Sequence, residues 1–236
     1  MAPRAALPPL LLLLLQALTA SAQYPWDSRN ISAAEWVCDA SASQGVSLAF
    51  VGGATAACGN EVLQDATTFS GAPLVWWSAA RETDTYTVII VDRDARSAAE
   101  PLVAPIRHFA TSYVPGATLL AGYNTSFGVW TSYSGPQPPA GTGCHRYYVQ
   151  LYRETPGAAI ANASAMARTN WDFATWAINS SLTKLSVNMF TTQSLAARTG
   201  GCAATSGASR TETLALAWAG LATLLAVAAA VGSFVV

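Results

Sequence analysis

Charge is what this chain lacks most. Of its 236 residues only 11% are Asp, Glu, Lys or Arg, against roughly a quarter in average chains. Lys184 is the only lysine and the net charge is −1. No basic stripe that could neutralise a phosphate backbone can be assembled, so nucleic acid is not an expected partner. Histidine is scarce too, with only His108 and His145. Recognisable catalytic runs are missing: there is no Gly-x-Ser-x-Gly elbow and no phosphate-binding Gly-x-x-x-x-Gly-Lys-Ser/Thr loop. Two histidines and two aspartates raise a metal reading, but their spacing matches no short ligand signature. Neither a catalytic residue nor a metal or cofactor is expected.

Long apolar runs are confined to the two ends. Arg4, an unbroken leucine run at 10–15 and the small residues Ala20, Ser21 and Ala22 read as a secretory signal peptide over 1–22, with Gln23 as the mature start. That run is shorter than the ~20 residues a membrane span needs. Residues 214–236 are apolar throughout, long enough to cross a bilayer. Small and polar residues precede them over 201–213, the order of a glycosylphosphatidylinositol (GPI) signal. Residues 201–213 are thus expected to form a stalk, with Ala203 or Ser206 as the anchor residue, and 214–236 a disposable tail. A retained single-pass helix is the alternative. Either way the chain would face outward from the plasma membrane.

What remains, residues 23–200, has the size of one domain with a real core. Its four cysteines, Cys38, Cys58, Cys144 and Cys202, should be oxidised in a secreted protein. Three pairings are open, and Cys38–Cys58 with Cys144–Cys202 is preferred. Glycosylation sequons stand at Asn30, Asn124, Asn162 and Asn179. Alternating or β-branched runs predict strands over 46–51, 73–77, 85–91, 106–114 and 146–153, separated by turns too short for crossover helices. That favours a mostly antiparallel sheet or sandwich. Trp171, Ala174, Ile178 and Leu182 fall at helical spacing, with Thr169 or Asn170 as cap and Asp172 in the first turn. Residues 191–213 read as a loop or short helix leading into the stalk.

Two polar segments then stand out. Asp92 and Asp94 close the 85–91 strand, and His108 follows in Ile106-Arg107-His108-Phe109. A stiff Gly/Pro run, Gly135-Pro136-Gln137-Pro138-Pro139-Ala140-Gly141-Thr142-Gly143-Cys144, leads into His145-Arg146-Tyr147. Residues two apart on a strand share a face, so both carboxylates could reach one cavity. Imidazole, a tyrosine hydroxyl and loop N–H groups are all donors, and a nearby aspartate can orient an imidazole and favour its cation. Such a pocket suits a phosphate or similar anion without any net basic surface.

These segments strongly resemble the phosphatidylethanolamine-binding protein family, also called the Raf kinase inhibitor protein family. The family's Asp-Pro-Asp-Ala-Pro motif falls on Asp92-Arg93-Asp94-Ala95-Arg96, its following histidine on His108, and its Gly-Pro-x-Pro-Pro-x-Gly-Thr-Gly-x-His-Arg-Tyr motif on residues 135–147. Arg168-Thr169-Asn170-Trp171-Asp172-Phe173 resembles the family's Arg-plus-aromatic helix start, and the likeness spans about residues 46–193. The resemblance implies a mainly β fold, a two-sheet antiparallel β-sandwich with a few peripheral helices. It implies a non-catalytic pocket for phosphate-bearing head groups, lined by Asp92, His108, His145 and Tyr147, with Asp94 beside them and Gly135 and Pro136 on the rim. Inhibition of a serine protease, as some relatives inhibit carboxypeptidase Y, is the second function it implies. The chain departs from the pattern where both prolines of the acidic motif become Arg93 and Arg96, and where Ile106 stands at a position often aromatic. A more cationic mouth follows, with Arg96 expected to add a charge-assisted contact to a phosphate.

Overall fold

The computed structural model describes residues 31–39, 45–65, 67–127 and 130–202. The expected signal peptide (1–22), the anchor residues Ala203 and Ser206, the tail (214–236) and the Asn30 sequon lie outside the described residues. Among the described residues no helix is long and apolar enough to cross a membrane.

Among the described residues eight strands run in chain order: β1 (Ser47–Ala49), β2 (Asn60–Glu61), β3 (Leu74–Trp76), β4 (Thr85–Asp92), β5 (Ile106–Pro115), β6 (Tyr123–Asn124), β7 (His145–Glu154) and β8 (Leu182–Thr192). They form a three-stranded sheet, β1-β3-β6, and a five-stranded sheet, β2-β8-β7-β4-β5. Every pairing is antiparallel except β2 with β8, which is parallel. Short helices, Gly116–Ala121 and Phe173–Asn179, complete the mainly β architecture.

The larger sheet is buried on both faces. One face shares a core with the smaller sheet, where Leu48 and Val75 join Val88, Ile90, Phe109, Val149 and Phe190. The other face packs Ile89, Val91, Tyr148 and Met189 against Trp36, Trp171, Phe173 and Trp176. This double burial is why β4 is a near-continuous apolar run rather than an alternating one.

The expected strands all form, with ends shifted by a residue or two, but the late part of the chain differs. The helix is capped by Asp172, whose carboxylate accepts the Thr175 N–H at 3.0 Å. Asn170 sits before it at φ 55°, so neither Thr169 nor Asn170 is the cap. The helix stops at Asn179, and Leu182 opens β8 instead of continuing it. That strand hides its period because Ser186, Asn188, Thr191 and Thr192 are buried polar residues. Asn188 shows how they are accommodated. Its amide donates to Val46 O at 2.7 Å and its carbonyl accepts the Cys58 N–H at 3.0 Å, so the buried groups are paired. Beyond β8, among the described residues, only a short turn, Leu195–Ala197, is helical.

Both preferred disulfides are present, Cys38–Cys58 and Cys144–Cys202. The second joins the residue before β7 to the end of the described chain.

One irregularity sets up the site. Ile90 pairs with Phe109 and Val91 with Arg107, leaving His108 as an extra residue in β5. Such a bulge re-aims a side chain. Arg107 accordingly lies over the Trp171 ring at 4.7 Å on the helix side, while His108 meets Tyr147 on the other.

Candidate functional site

The strand registers gather the polar residues at one end of the larger sheet. Asp92 stands opposite Ile106 on β5 and Tyr147 on β7, and His145 stands opposite Thr192 on β8. Asp92 is the hub. Its Oδ2 lies 2.9 Å from His145 Nδ1, and its Oδ1 accepts the Asp94 N–H at 2.7 Å. The Tyr147 phenol feels the same carboxylate, which together with burial raises its pKa. Asp92, His145 and Tyr147 are all at least 97% buried.

The protonation of His145 follows from its partners. Nδ1 faces a carboxylate, so it carries hydrogen. Nε2 lies 2.9 Å from Thr142 Oγ1, whose single hydrogen is committed to Pro139 O at 2.8 Å. With that hydrogen on Pro139 O, the threonine oxygen accepts from Nε2, the arrangement a doubly protonated ring makes. Burial opposes this cation, but the hydrogen bond and charge of Asp92, with Asp94 and the Arg96 carbonyl, hold the imidazole above its ordinary pKa.

His108 is the opposite case. Its Nδ1 donates to Ser134 O at 2.7 Å, and burial pushes its pKa down despite the Asp92 charge. It is a neutral imidazole with Nε2 as a lone-pair acceptor. The two rings flank Tyr147: His108 meets it edge-on at 5.2 Å, and His145 stacks at 6.4 Å. Tyr147 in turn stacks on Phe190 at 5.2 Å. Burial, then Asp92, keeps the phenol protonated and well above its usual range.

Asp94 serves a different partner. It grips Arg146 through Nε at 2.6 Å and Nη2 at 2.5 Å, and accepts the Arg146 N–H at 2.9 Å. This fork-shaped, charge-assisted pair fixes the turn after β4 to the start of β7. Burial works against the Arg146 charge, but Asp94 outweighs it and raises its pKa.

The motif arginines go separate ways. Arg93 turns onto the Trp36 ring at 4.9 Å, on the helix face of the sheet, so it does not make the mouth cationic. Arg96 is exposed, and it is its backbone that acts on His145, helping to raise the imidazole pKa. On the Gly/Pro run, Gly135 packs where a Cβ would meet Phe69 O at 2.6 Å, which is why a glycine stands there. Pro136 is buried and Gly135 half-buried.

Three participants emerge only from the fold: Thr142, Arg146 and Tyr133. Tyr133 is the most informative, because its hydroxyl is buried with no hydrogen-bond partner, and burial raises its pKa. It packs against the core that holds Tyr147 and Phe190, which places it beside the same cluster. Thr192, opposite His145, likewise has a buried Oγ1 without a partner. Among the described residues no three His, Cys, Asp or Glu side chains converge as a metal site. The sequon residues Asn162 and Asn179 are exposed, and Asn124 is half-buried.

The model of the phosphatidylethanolamine-binding protein family matches residues 42–201. The chain belongs to that family. Curated relatives of this family member include the carboxypeptidase Y inhibitor of Saccharomyces cerevisiae, 28% identical over 131 residues, 47% of this chain and 60% of the relative. A 26 kDa secreted antigen of Toxocara canis is 30% identical over 112 residues, 48% of this chain and 40% of that protein. The chain thus spans about half the length of the curated relatives it matches. Among solved structures, the carboxypeptidase Y inhibitor complexed with its cognate proteinase superposes with a TM-score of 0.53 at 20% identity, over 64% of this chain and 84% of that one. The phosphatidylethanolamine-binding protein from Plasmodium vivax gives 0.53 at 16% identity, over 63% and 84%. These likenesses establish the family's fold for the chain.

Proposed function

We propose that the protein binds phosphate-bearing head groups, those of phosphatidylethanolamine-like lipids included, without catalysing a reaction on them. The observation that carries this reading is the unpartnered Tyr133 hydroxyl beside the buried cluster, with the Thr192 hydroxyl opposite His145 unpartnered as well. An orphaned buried hydroxyl costs free energy that a ligand oxygen would recover. Beside it stand the His145 imidazolium, which offers positive charge to an anion, and neutral His108, which offers a lone pair to a ligand O–H or ammonium. Exposed Arg96 supplies a further cation at the same turn, and equal affinity in Arg96→Ala would remove it from the account. Two disulfides favour an oxidising compartment. We therefore place the protein on the secretory route, glycosylated at its accessible sequons and held at the outer cell surface by a lipid anchor. A phosphorus-31 NMR titration tests the reading. The phosphorylethanolamine resonance should shift and broaden with the protein and stay unchanged with Tyr147→Phe; an unchanged resonance with the wild type contradicts it.

A second reading is favoured by the yeast relative and the complex with its proteinase: the same fold acting as a protease inhibitor. It predicts stoichiometric inhibition of carboxypeptidase Y or a secreted serine protease. Inhibition unaffected by Tyr147→Phe would place that activity on a surface other than this site.

A further inference from the structure

The C-terminal end of the described chain is fastened to the candidate site. Cys202 is disulfide-bonded to Cys144, the residue before His145. The Cys202 N–H donates to Glu61 Oε2 at 3.1 Å, and Arg198 grips the same carboxylate at 2.9 Å. Gln193 ties both ends of the segment, donating to Glu61 Oε1 at 3.1 Å and to Gly200 O at 2.6 Å. Whatever follows Cys202 must therefore leave the domain beside the Gly/Pro run, and the apolar segment 214–236 follows within twelve residues.

That distance is close to the length of the larger sheet. Twelve residues extend at most about 40 Å, so the opposite end of the domain reaches the anchor's membrane only with that tether nearly fully drawn out. The ten-residue β7 separates the site end from the opposite end by about 33 Å. An anchor at Ala203 would shorten the tether to a single residue. The same end presents Leu63 and Leu195, 48% and 45% exposed, on the two segments joined by the clasp, and exposed Arg96 on the site's own turn.

We propose that the site faces the bilayer entered by the chain's own C-terminal anchor, and takes phosphate-bearing head groups from that membrane rather than from an opposing one. This rests on the head-group reading and names its source of ligand. The clasp of Cys144–Cys202 and Glu61–Arg198 is the orienting device.

The test uses the full chain reconstituted in vesicles with a photoactivatable phosphatidylethanolamine, placed either in the protein's own vesicles or in separate protein-free ones. Labelling of the 135–147 segment should be at least tenfold stronger from its own membrane. Insertion of about thirty Gly/Ser residues after Cys202, which by themselves add an average of about 30 Å, should erase most of that preference. Affinity for free phosphorylethanolamine should stay unchanged in the insertion variant. Equal labelling from both vesicle populations, an insertion without effect, or a chain that does not stay with vesicles overturns the orientation. Absence of phosphorylethanolamine binding in the wild type overturns the head-group reading itself, and this inference with it.

Discussion

Asp92 and His145 meet through a 2.9 Å contact between Oδ2 and Nδ1, with both side chains almost wholly buried. Nearly every other feature of the site depends on that contact. It favours the charged form of His145, it leaves Asp92 Oδ1 for the Asp94 N–H, and it joins β4 to β7 at the mouth.

The contact has a pH signature. His145 sits above its ordinary pKa, so its contribution to stability is fully present below the unfolded value near 6.5 and is lost as pH rises through the raised folded value. His108 sits below its ordinary value, so its contribution is present above about 6.5 and is lost as pH falls. Asp92→Asn should destabilise the protein most at mildly acidic pH, with the gap narrowing as pH climbs past the folded value of His145. Thermal melts from pH 5 to 9 measure this, and a gap independent of pH would contradict it.

Asp94 and Arg146 should respond asymmetrically. Arg146→Ala abandons a carboxylate that is only 2% exposed, whereas the guanidinium is 27% exposed and can turn to water. We expect a loss of about 3 kcal/mol for Arg146→Ala and a smaller one for Asp94→Asn. Denaturant unfolding of the two variants gives the comparison, and the reverse order would mean that burial does not govern this pair.

Gly135→Ala should cost about 1–3 kcal/mol, because the new methyl lands 2.6 Å from a backbone oxygen and 3.1 Å from Phe69 Cβ. Neither atom is the far end of a flexible chain. A melting temperature equal to wild type would show that the Gly/Pro run can move away from Phe69.

Tyr133→Phe separates binding from folding. Its hydroxyl has no partner among the described residues, so removing it should leave stability unchanged or slightly raised. Affinity for phosphorylethanolamine should fall several-fold. Lost stability with unchanged affinity would assign the hydroxyl to the scaffold.

Much of this was legible in the residues. Strands β4, β5 and β7 announce themselves through β-branched and aromatic runs bounded by turn residues, and the motifs at 92–96, 108 and 135–147 mark the site on those strands. What was hidden depends on pairing in space. Strand β8 was obscured because Asn188 and Thr191 are polar yet buried, and a polar residue in a core strand looks like surface until its partners are seen. The bulge at His108 is a property of register between two strands, which no single run encodes. Arg93 looked like a neighbour of the acids, yet the turn carries it across the sheet to Trp36. Thr142 and Tyr133 lie inside or beside the Gly/Pro run, so closer attention to its hydroxyls was the available signal.

The most direct test is a calorimetric titration of the full chain, solubilised in a phosphate-free detergent, with phosphorylethanolamine, repeated on His108→Ala and His145→Ala variants confirmed as folded. Binding by the wild type that is lost in both variants is the predicted result. Heat of binding that survives in both, or no binding by the wild type, would contradict an anion site at these residues.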